Sequence, residues 1–558
     1  MKKVVFKIFV LAALLVVFQQ LQAQTERIVK IDGINPKDVA QTKNLIYDQI
    51  FTAIQADAPN RKVGVITKYE LQRGQCYLNV SILSPDFDFY LIASPIVAGA
   101  DAQKNYNPVI LTSLTPTGGS NTMMRPLKNL YLENIELDGL LPNGAMPSRL
   151  IEILGIGSTA TLKGCRLQNT AQAQITISVD DVSVYLSDCV IGNSGPLMGY
   201  GGNGRTIDNR APLRVNEIVI QNCTCYNNTD RFFRSMLGQS IKKFKLDHVS
   251  LFNSTGRHGC FQLARAEEIE ITNNIIVNPI AFGDRVTYKI NYRDEQTQLD
   301  KAFAVFTHDS TKVGQPVTQK VTMRNNNIYH ETKFENFFNT VTTPFDSVQT
   351  VRVLSNVLSR WAGSNATNAL WFREELKFNN ISSSDDLLAY VKEWYNHPTS
   401  STFSSYNFSK IFPFEWDVKY PTSSKSYTAG DKGLPLGDLN AWPDRKLLWV
   451  ASVYNPVPPL KSISLGTEKV GIDKSYPNPF IDQTTIYYSL TSAQKVEVRI
   501  FNSLGQLTNT LANGVLDAGS YSVVWDGNNN SGVSLPKGVY LIQIVGEKDQ
   551  MVKKVIKN

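Results

Sequence analysis

VYLSDCVI, residues 184–191, reads apolar, any, apolar, any, small polar, then Cys and two more apolar residues. The phrase returns as LYLENIEL from Leu130, TLKGCRL from Thr161, VIQNCTC from Val219, FKLDHVSL from Phe244, IEITNNII from Ile269, VTMRNNNI from Val321 and VRVLSNVL from Val351. Aligned on Leu132, Leu162, Leu186, Ile220, Leu246, Ile271, Met323 and Val353, the spacings are 30, 24, 34, 26, 25, 52 and 30 residues. An alternating segment that recurs once every few dozen residues marks a chain coiling upon itself, each rung burying its apolar face on the next. The spacing of 52 matches two coils, and AFAVFTH, residues 302–308, alternates well enough to supply the missing rung.

Leucine-rich repeats have similar periods but need a dense leucine framework that this chain lacks. The sequence therefore predicts an all-β protein, a right-handed single-stranded parallel β-helix followed by a small Ig-like β-sandwich. One column reads Cys165, Cys189 and Cys223, and continues after Val249 as Asn274, Asn326 and Asn356. Rungs lie roughly 4.8 Å apart, so equivalent side chains touch, and a carboxamide can donate to one neighbour and accept from the other. These columns belong to the scaffold. Parallel stacking seldom meets disulfide geometry, so the Cys column is expected as buried thiols, with Cys76, Cys225 and Cys260 undecided.

At the N-terminus Lys2 and Lys3 precede the apolar run 8–18, and Ala23 and Gln24 close it, which marks residues 1–24 as a secretory signal peptide. No later stretch approaches the ~20 apolar residues of a membrane span, so no transmembrane anchor is expected. Residues 25–126 form the N-terminal cap and opening coils. NLIYDQIFTAIQA, residues 44–56, aligns Ile46, Ile50 and Ile54 on one helical face as the cap, and YELQRG, CYLNVSIL, FYLIASP and PVILTS follow as opening strands. The β-helix proper spans 127–450. Within it DDLLAYVKEWY, residues 385–395, carries acids in its first turn and predicts a helix, while GDKGLPLGDLNAWPD, residues 430–444, is expected to end the solenoid. Pro456, Pro458 and Pro459 place a linker at 451–472.

Residues 473–558 change texture, with short alternating strands punctuated by Gly, Asn and Asp. YPNPF at 476–480, FNSLGQ at 501–506, WDG at 525–527 and GVY at 538–540 closely resemble the recurring motifs of the type A C-terminal sorting domain of the Bacteroidetes type IX secretion system. The resemblance implies the type IX machinery as a partner, export across the outer membrane, and removal of the domain as the protein is attached to the cell surface or released. Residues 61–444 resemble secreted pectate-lyase-like β-helix proteins of Bacteroidetes, through YELQRG, the Asn-rich coils and the closing AGDKGLPLGDLNAWPD.

The net charge of +7 is spread along the chain without a basic stripe, so nucleic acid is not an expected partner and an acidic polysaccharide is. Hydrolysis of such a glycan needs two carboxylates across the scissile bond. Asp180-Asp181 and Asp385-Asp386 lack the Asn-x-Asp and Gly-His-Gly companions of polygalacturonase-type enzymes, which disfavours a glycosidase. Uronate β-elimination needs a base for the proton beside the carboxylate and a cation for the developing enolate. Arg231, Arg234, Lys243, Arg257, His258 and Arg265 are the densest cationic group.

Arg257-His258-Gly259 resembles the Arg-His-Gly of chondroitinase-B-like and alginate lyases, where the Arg takes part in catalysis; here it precedes a strand instead of following one, and the family's partner Lys and acidic Ca²⁺ ligands have no match. On the lyase reading Arg257, Arg265 and Lys243 are the catalytic candidates, with Ca²⁺ as the ion. Arg231, Arg234, His258, Tyr288 and Arg293 are the substrate-binding ones, the last two from the insertion DRVTYKINYRDEQTQLDK at 284–301. His308 and His330 stand apart from other ligand types, so no metal site is expected. The chain thus reads as a secreted or cell-surface β-helix that acts on, or binds, a uronate-containing polysaccharide, by lyase elimination if it is catalytic. The alternative is a noncatalytic glycan-binding or adhesin-like solenoid, its arginines paired with Glu267, Glu268 or Asp230.

Overall fold

The computed structural model describes residues 25–38, 40–41, 45–63, 65–97, 106–112, 122–140, 145–195, 204–209, 213–256, 259–282, 284–285, 304–307, 320–341, 348–349, 353–354, 358, 371–396, 416–453, 470–490, 494–502, 506–516, 519–546 and 550–558. The proposed signal peptide, the stretch 454–469 of the linker, and Asn356 lie outside them. Two compact units divide the chain, 1–460 and 461–558.

The first unit is a parallel β-solenoid with three faces per coil. Face one starts at Thr25–Ile31 and Val65–Leu71 and ends at Lys320–Arg324; face two runs from Cys76–Asn79 to Asn327–Tyr329; face three runs from Thr122–Met124 to Phe306–Thr307. Two long strands, Arg231–Asp247 and Phe261–Thr272, contribute their first parts to face three and their second parts to face one. The recurring phrase sets the register. Leu132, Leu162, Leu186, Ile220, Leu246, Ile271 and Met323 are paired rung to rung and are fully or almost fully buried.

Two expectations from spacing are corrected. Ile271 pairs directly with Met323, so the interval of 52 residues holds no further rung of face one. Phe306, from AFAVFTH, pairs with Phe261 on face three, and Leu354 bridges to Phe306 there instead of extending the Met323 column. Strand alternation looks alike on every face, so period counting cannot tell which face a segment joins. The capping helix is Gln49–Asp57, with Ile50 and Ile54 buried; Ile46 precedes it and is exposed. Asp57 ties the cap to the opening coils by accepting from Arg27 at 2.7 and 2.5 Å and from the Tyr69 hydroxyl at 3.0 Å.

The bends explain the polar positions of the repeat. Between faces one and two the backbone turns through positive φ at Asn134, Gly164, Asp188, Asn222, His248, Asn273 and Asn325. Next to it stand the Cys165, Cys189, Cys223, Val249, Asn274 and Asn326 positions, where Asn274 donates to Asn326 Oδ1 at 2.9 Å and its own Oδ1 accepts from Val249 N. All six cysteines are free thiols, and every one except Cys76 is buried.

Between faces two and three lies a longer ladder that the repeat phrase does not reveal. Asn169, Asn193, Asn227, Asn253 and Asn278 all have positive φ. Each Nδ2 donates to the preceding coil: Asn278 to Asn253 at 3.0 Å, Asn253 to Asn227 at 3.4 Å, Asn227 to Asn193 and Asn193 to Asn169 at 3.1 Å, and Asn169 to Asp138 at 2.7 Å. At the other end Asn278 Oδ1 accepts from Glu331 N.

The segment 430–444 was expected to end the solenoid, but its described contacts are lateral. Asp431 pairs with Arg324 and Asn273, Asp438 accepts from Thr224 at 2.7 Å, Leu439 N donates to Asn222, and Lys446 reaches Asp188 at 2.6 Å. This return run crosses five successive coils. With Phe378, Trp416, Val418 and Tyr420 it covers the outward apolar residues of face two, Tyr226, Phe252, Ile275, Val277 and Tyr329. The helix Asp385–Asn396 forms where its acidic first turn indicated.

The second unit is a small antiparallel sandwich of a three-stranded and a four-stranded sheet. Its motifs meet in one core: Phe480 of YPNPF lies edge-on to Trp525 of WDG at 5.2 Å, and Trp525 to Tyr540 of GVY at 5.1 Å.

The ladder has a measurable weight. Asn227→Gly keeps the left-handed bend and loses the amide, whereas Asn227→Ala loses both. The Gly variant is expected to cost about 1–3 kcal/mol by stranding its ladder partners, and the Ala variant about 1–2 kcal/mol more, as read from urea unfolding.

Candidate functional site

Three arginines of the Arg-rich coils, Arg205, Arg231 and Arg234, are buried upon carboxylates. In register on face three, Arg205 faces Arg231 and Asp208 faces Arg234. Arg234 forks onto Asp208 at 2.5 and 2.6 Å, and both side chains are about 6% exposed. Arg205 reaches Asp230 at 2.9 Å and Asp208 at 3.5 Å, while Arg231 donates to Asp230 at 3.1 Å and to Gln262. Burial lowers the guanidinium of Arg205 to about 10 and lowers that of Arg231 too, with the neighbouring aspartates opposing the shift.

Lys243 belongs to the same strand but to face one, in register between Glu217 and Glu268. Arg234 and Lys243 therefore do not share a face. Arg265 lies in the strand Phe261–Thr272 opposite Ser240, and only its backbone is described. Arg257, His258, Tyr288 and Arg293 lie outside the described residues. His330 is buried against Phe334 and Phe338, and burial lowers it to about 3, so the ring is neutral. Among the described residues no group of three or more His, Cys, Asp or Glu is placed to hold a metal ion, and no helix is long and apolar enough to cross a membrane.

Two features that the residue patterns did not flag lie in the early coils of face two. The first is a carboxylate pair. Glu136 and Asp138 alternate around the buried Leu137 and so project to the same side, where Gln168 Nε2 of the next coil donates to Glu136 at 2.7 Å and lies 3.4 Å from Asp138. Burial pushes the Glu136 carboxyl up to about 7; Asp138 adds to the shift, and Arg166 and Gln168 oppose it. Burial also raises Asp138, against donation from Asn169 and Leu140 N. The only sequence signal was the i, i+2 spacing of the acids in IELD.

The second feature is a cleft of about 710 Å³ at the first two bends between faces one and two. The walls are residues 35–37, the bend Gln72–Arg73–Gly74–Gln75, and Ser94, Pro95, Val97, Tyr106 and Asn107, with Cys76 and Val109 at its edge. Arg73 is braced by two neutral oxygens, Nε on Ser94 O and Nη1 on Asn107 Oδ1, both at 2.7 Å. Burial raises the Cys76 thiol, helped by Glu136, so it is not poised as a thiolate.

Comparison with known proteins bears on the C-terminal unit. The FlgD Ig-like domain family matches residues 481–550. No curated protein matches the chain. Among solved structures, dimeric latent PorU from Porphyromonas gingivalis is 24% identical over 16% of this chain and 9% of its own, with a TM-score of 0.14. PorZ, described as an essential surface component of the type IX secretion system of the same organism, is 21% identical over 15% of this chain and 11% of its own, with a TM-score of 0.12. FlgD from P. aeruginosa is 23% identical over 16% of this chain and 66% of its own, with a TM-score of 0.12. The chain thus spans about a tenth of the length of the two Porphyromonas proteins.

Two measurements separate structural from chemical roles here. Asp208→Ala strands the Arg234 guanidinium and should cost about 3–5 kcal/mol in urea unfolding. For Glu136, a carboxyl raised by burial favours the fold most below its unfolded value near 4.5 and loses that contribution as pH rises through 7. Glu136→Gln, which can still accept from Gln168, should match the parent near pH 4.5 and exceed it by about 1–3 kcal/mol at pH 8.

Proposed function

We propose that this is an exported β-helix that binds acidic, uronate-containing polysaccharide at the outer surface of the cell or outside it, without turning it over. The observation that carries the choice of binding over elimination is the place of Lys243, the one catalytic candidate whose side chain is described, on face one in register between Glu217 and Glu268; Arg231 and Arg234, expected to bind substrate, are instead engaged by Asp230 and Asp208 on face three. A guanidinium already neutralised by a buried carboxylate has little field left for a uronate carboxylate, and releasing it would strand the aspartate, so these two arginines are withdrawn from the binding set. Lys243, on another face, supplies no second cation beside them.

A lyase would draw on Arg257 and Arg265 with Ca²⁺, and it is the rival that the same experiment addresses. Export rests on the motifs of residues 476–540, of which Phe480, Trp525 and Tyr540 lie in the core of the C-terminal sandwich, and on the match of residues 481–550 to an Ig-like domain. On this reading the sandwich is the passport to the type IX machinery and the solenoid is the cargo.

Pectate, alginate and glycosaminoglycans, each with Ca²⁺ and with chelator, should give no new unsaturated-uronate absorbance, while at least one is retained on a glycan array. Absorbance that grows with time and falls in Arg257→Ala or Arg265→Ala would establish the lyase instead.

A further inference from the structure

We infer that a depression of about 510 Å³ lined by Lys377 and Lys419 is a subsite for a short run of uronic-acid residues, with the two ammonium groups as its carboxylate-binding pair and Tyr420 and Trp442 as its ring platform. This rests on the proposed binding of acidic polysaccharide and places it on the segments that cover the later coils of face two, away from the buried arginines of face three.

Two extended segments carry the cations. Exposed and half-buried residues alternate from Trp371 to Asn379, with Lys377 and Asn379 on the exposed side. The second segment joins it through the antiparallel bridge between Asn380 and Asp417, and Asn379 N donates to Lys419 O at 2.9 Å. Asn379 Nδ2 reaches Asp417 Oδ2 at 3.1 Å, and Asp417 and Lys419 flank the buried Val418, so Lys377, Asn379, Asp417 and Lys419 share one side of the ribbon. Neighbouring cations are engaged: Arg373 pairs with Glu335, and Lys425 Nζ lies 3.9 Å above the Phe372 ring. Among the described residues, neither the Lys377 nor the Lys419 ammonium has a hydrogen-bond or ion-pair partner. The carboxylate of the ribbon, Asp417, is taken up by local donors, Asn379 Nδ2 on one oxygen and Lys419 N, at 3.1 Å, on the other. Two ammonium groups that line one small depression raise the positive potential where an anion would lie.

The floor suits a sugar ring more than a bare ion. Phe378 and Tyr420 stand edge to face at 6.0 Å, and Tyr420 and Trp442 at 5.5 Å. The Tyr420 hydroxyl is bonded to Leu436 O at 2.9 Å, and Trp442 also meets Tyr427 at 5.0 Å, so the platform is fixed before any ligand arrives and loses little freedom on binding. Such rings, with Pro421 beside them, offer apolar surface to the C–H face of a pyranose, and Asn379 and Thr422 add polar groups for its hydroxyls. About 510 Å³ lies in the range of ligand sites, roughly 300–1,000 Å³, and exceeds what one small ion fills.

Calorimetry on the full chain tests this, with tetragalacturonate and tetramannuronate as probes, neutral tetragalactan as the uncharged comparison, and the corresponding long polyuronates. Binding of a tetra-uronate but not of tetragalactan is expected, weakened about 3-fold in Lys377→Gln and in Lys419→Gln and about 10-fold in the double variant. Trp442→Ala should weaken it about 10-fold as well. Both lysines are exposed, so their variants keep the test valid if Trp442→Ala fails to fold. Tetra-uronate binding that the double lysine variant leaves unchanged would overturn the subsite while the acidic-polysaccharide reading stands. So would capture of a long polyuronate with no affinity for either tetramer. Equal affinity for tetragalactan would overturn the carboxylate-binding role of the two lysines. Failure to bind any uronate, short or long, would overturn both the subsite and the reading it rests on.

Discussion

Among the described bends, the turns between faces one and two from Asn134 to Asn325 and those between faces two and three from Asn169 to Asn278 each place a residue, glycine in only one case, in the left-handed region. That conformation costs about 1–2 kcal/mol for most side chains and less for Asn and Asp, whose short polar groups bond locally. Asn169, Asn193, Asn227, Asn253 and Asn278 meet the constraint and offset it, because each buried amide donates to the one before. Along the ladder each amide donates toward the N-terminal coils, and at its far end Asn278 Nδ2 donates to Glu331 as well. Aligned amides polarise one another, and such a chain should end on an acceptor that needs no proton; Asp138 is that acceptor. Register, rung spacing and the stacking of Leu132 through Met323 depend on these bends staying in line.

The charged residues of face three obey a related constraint. Arg205, Arg231, Arg234, Asp208 and Asp230 are almost wholly buried and mutually paired. Replacing such a network by apolar packing is often neutral for stability, so its contribution here lies in register: a slip of one residue would leave a charge alone in the wall. The same pairing removes these arginines from the exposed surface.

The return run from 416 to 446 divides face two by chemistry. Over the later coils it covers Tyr226, Phe252 and Tyr329, which would otherwise form an apolar stripe. The early coils hold Glu136, Arg166 and the cleft at Arg73.

The repeat of apolar and small polar residues by itself determined the parallel β-solenoid, the rung equivalences up to Met323, and the ladder character of the Cys and Asn columns, because identical environments in successive coils impose identical residue types. The aromatic motifs of the last 80 or so residues likewise announced a second β domain, since Phe480, Trp525 and Tyr540 form its core. Only the tertiary structure decided which face each alternating segment joins, as Phe306 shows, and that 430–444 runs back along the coils. It alone brought Asp208 to Arg234 and Gln72–Gln75 to Tyr106 and Asn107. Those pairings link residues 26 to about 35 positions apart whose partners are chosen by coil length and bend geometry, and neither is written in any local stretch of the chain.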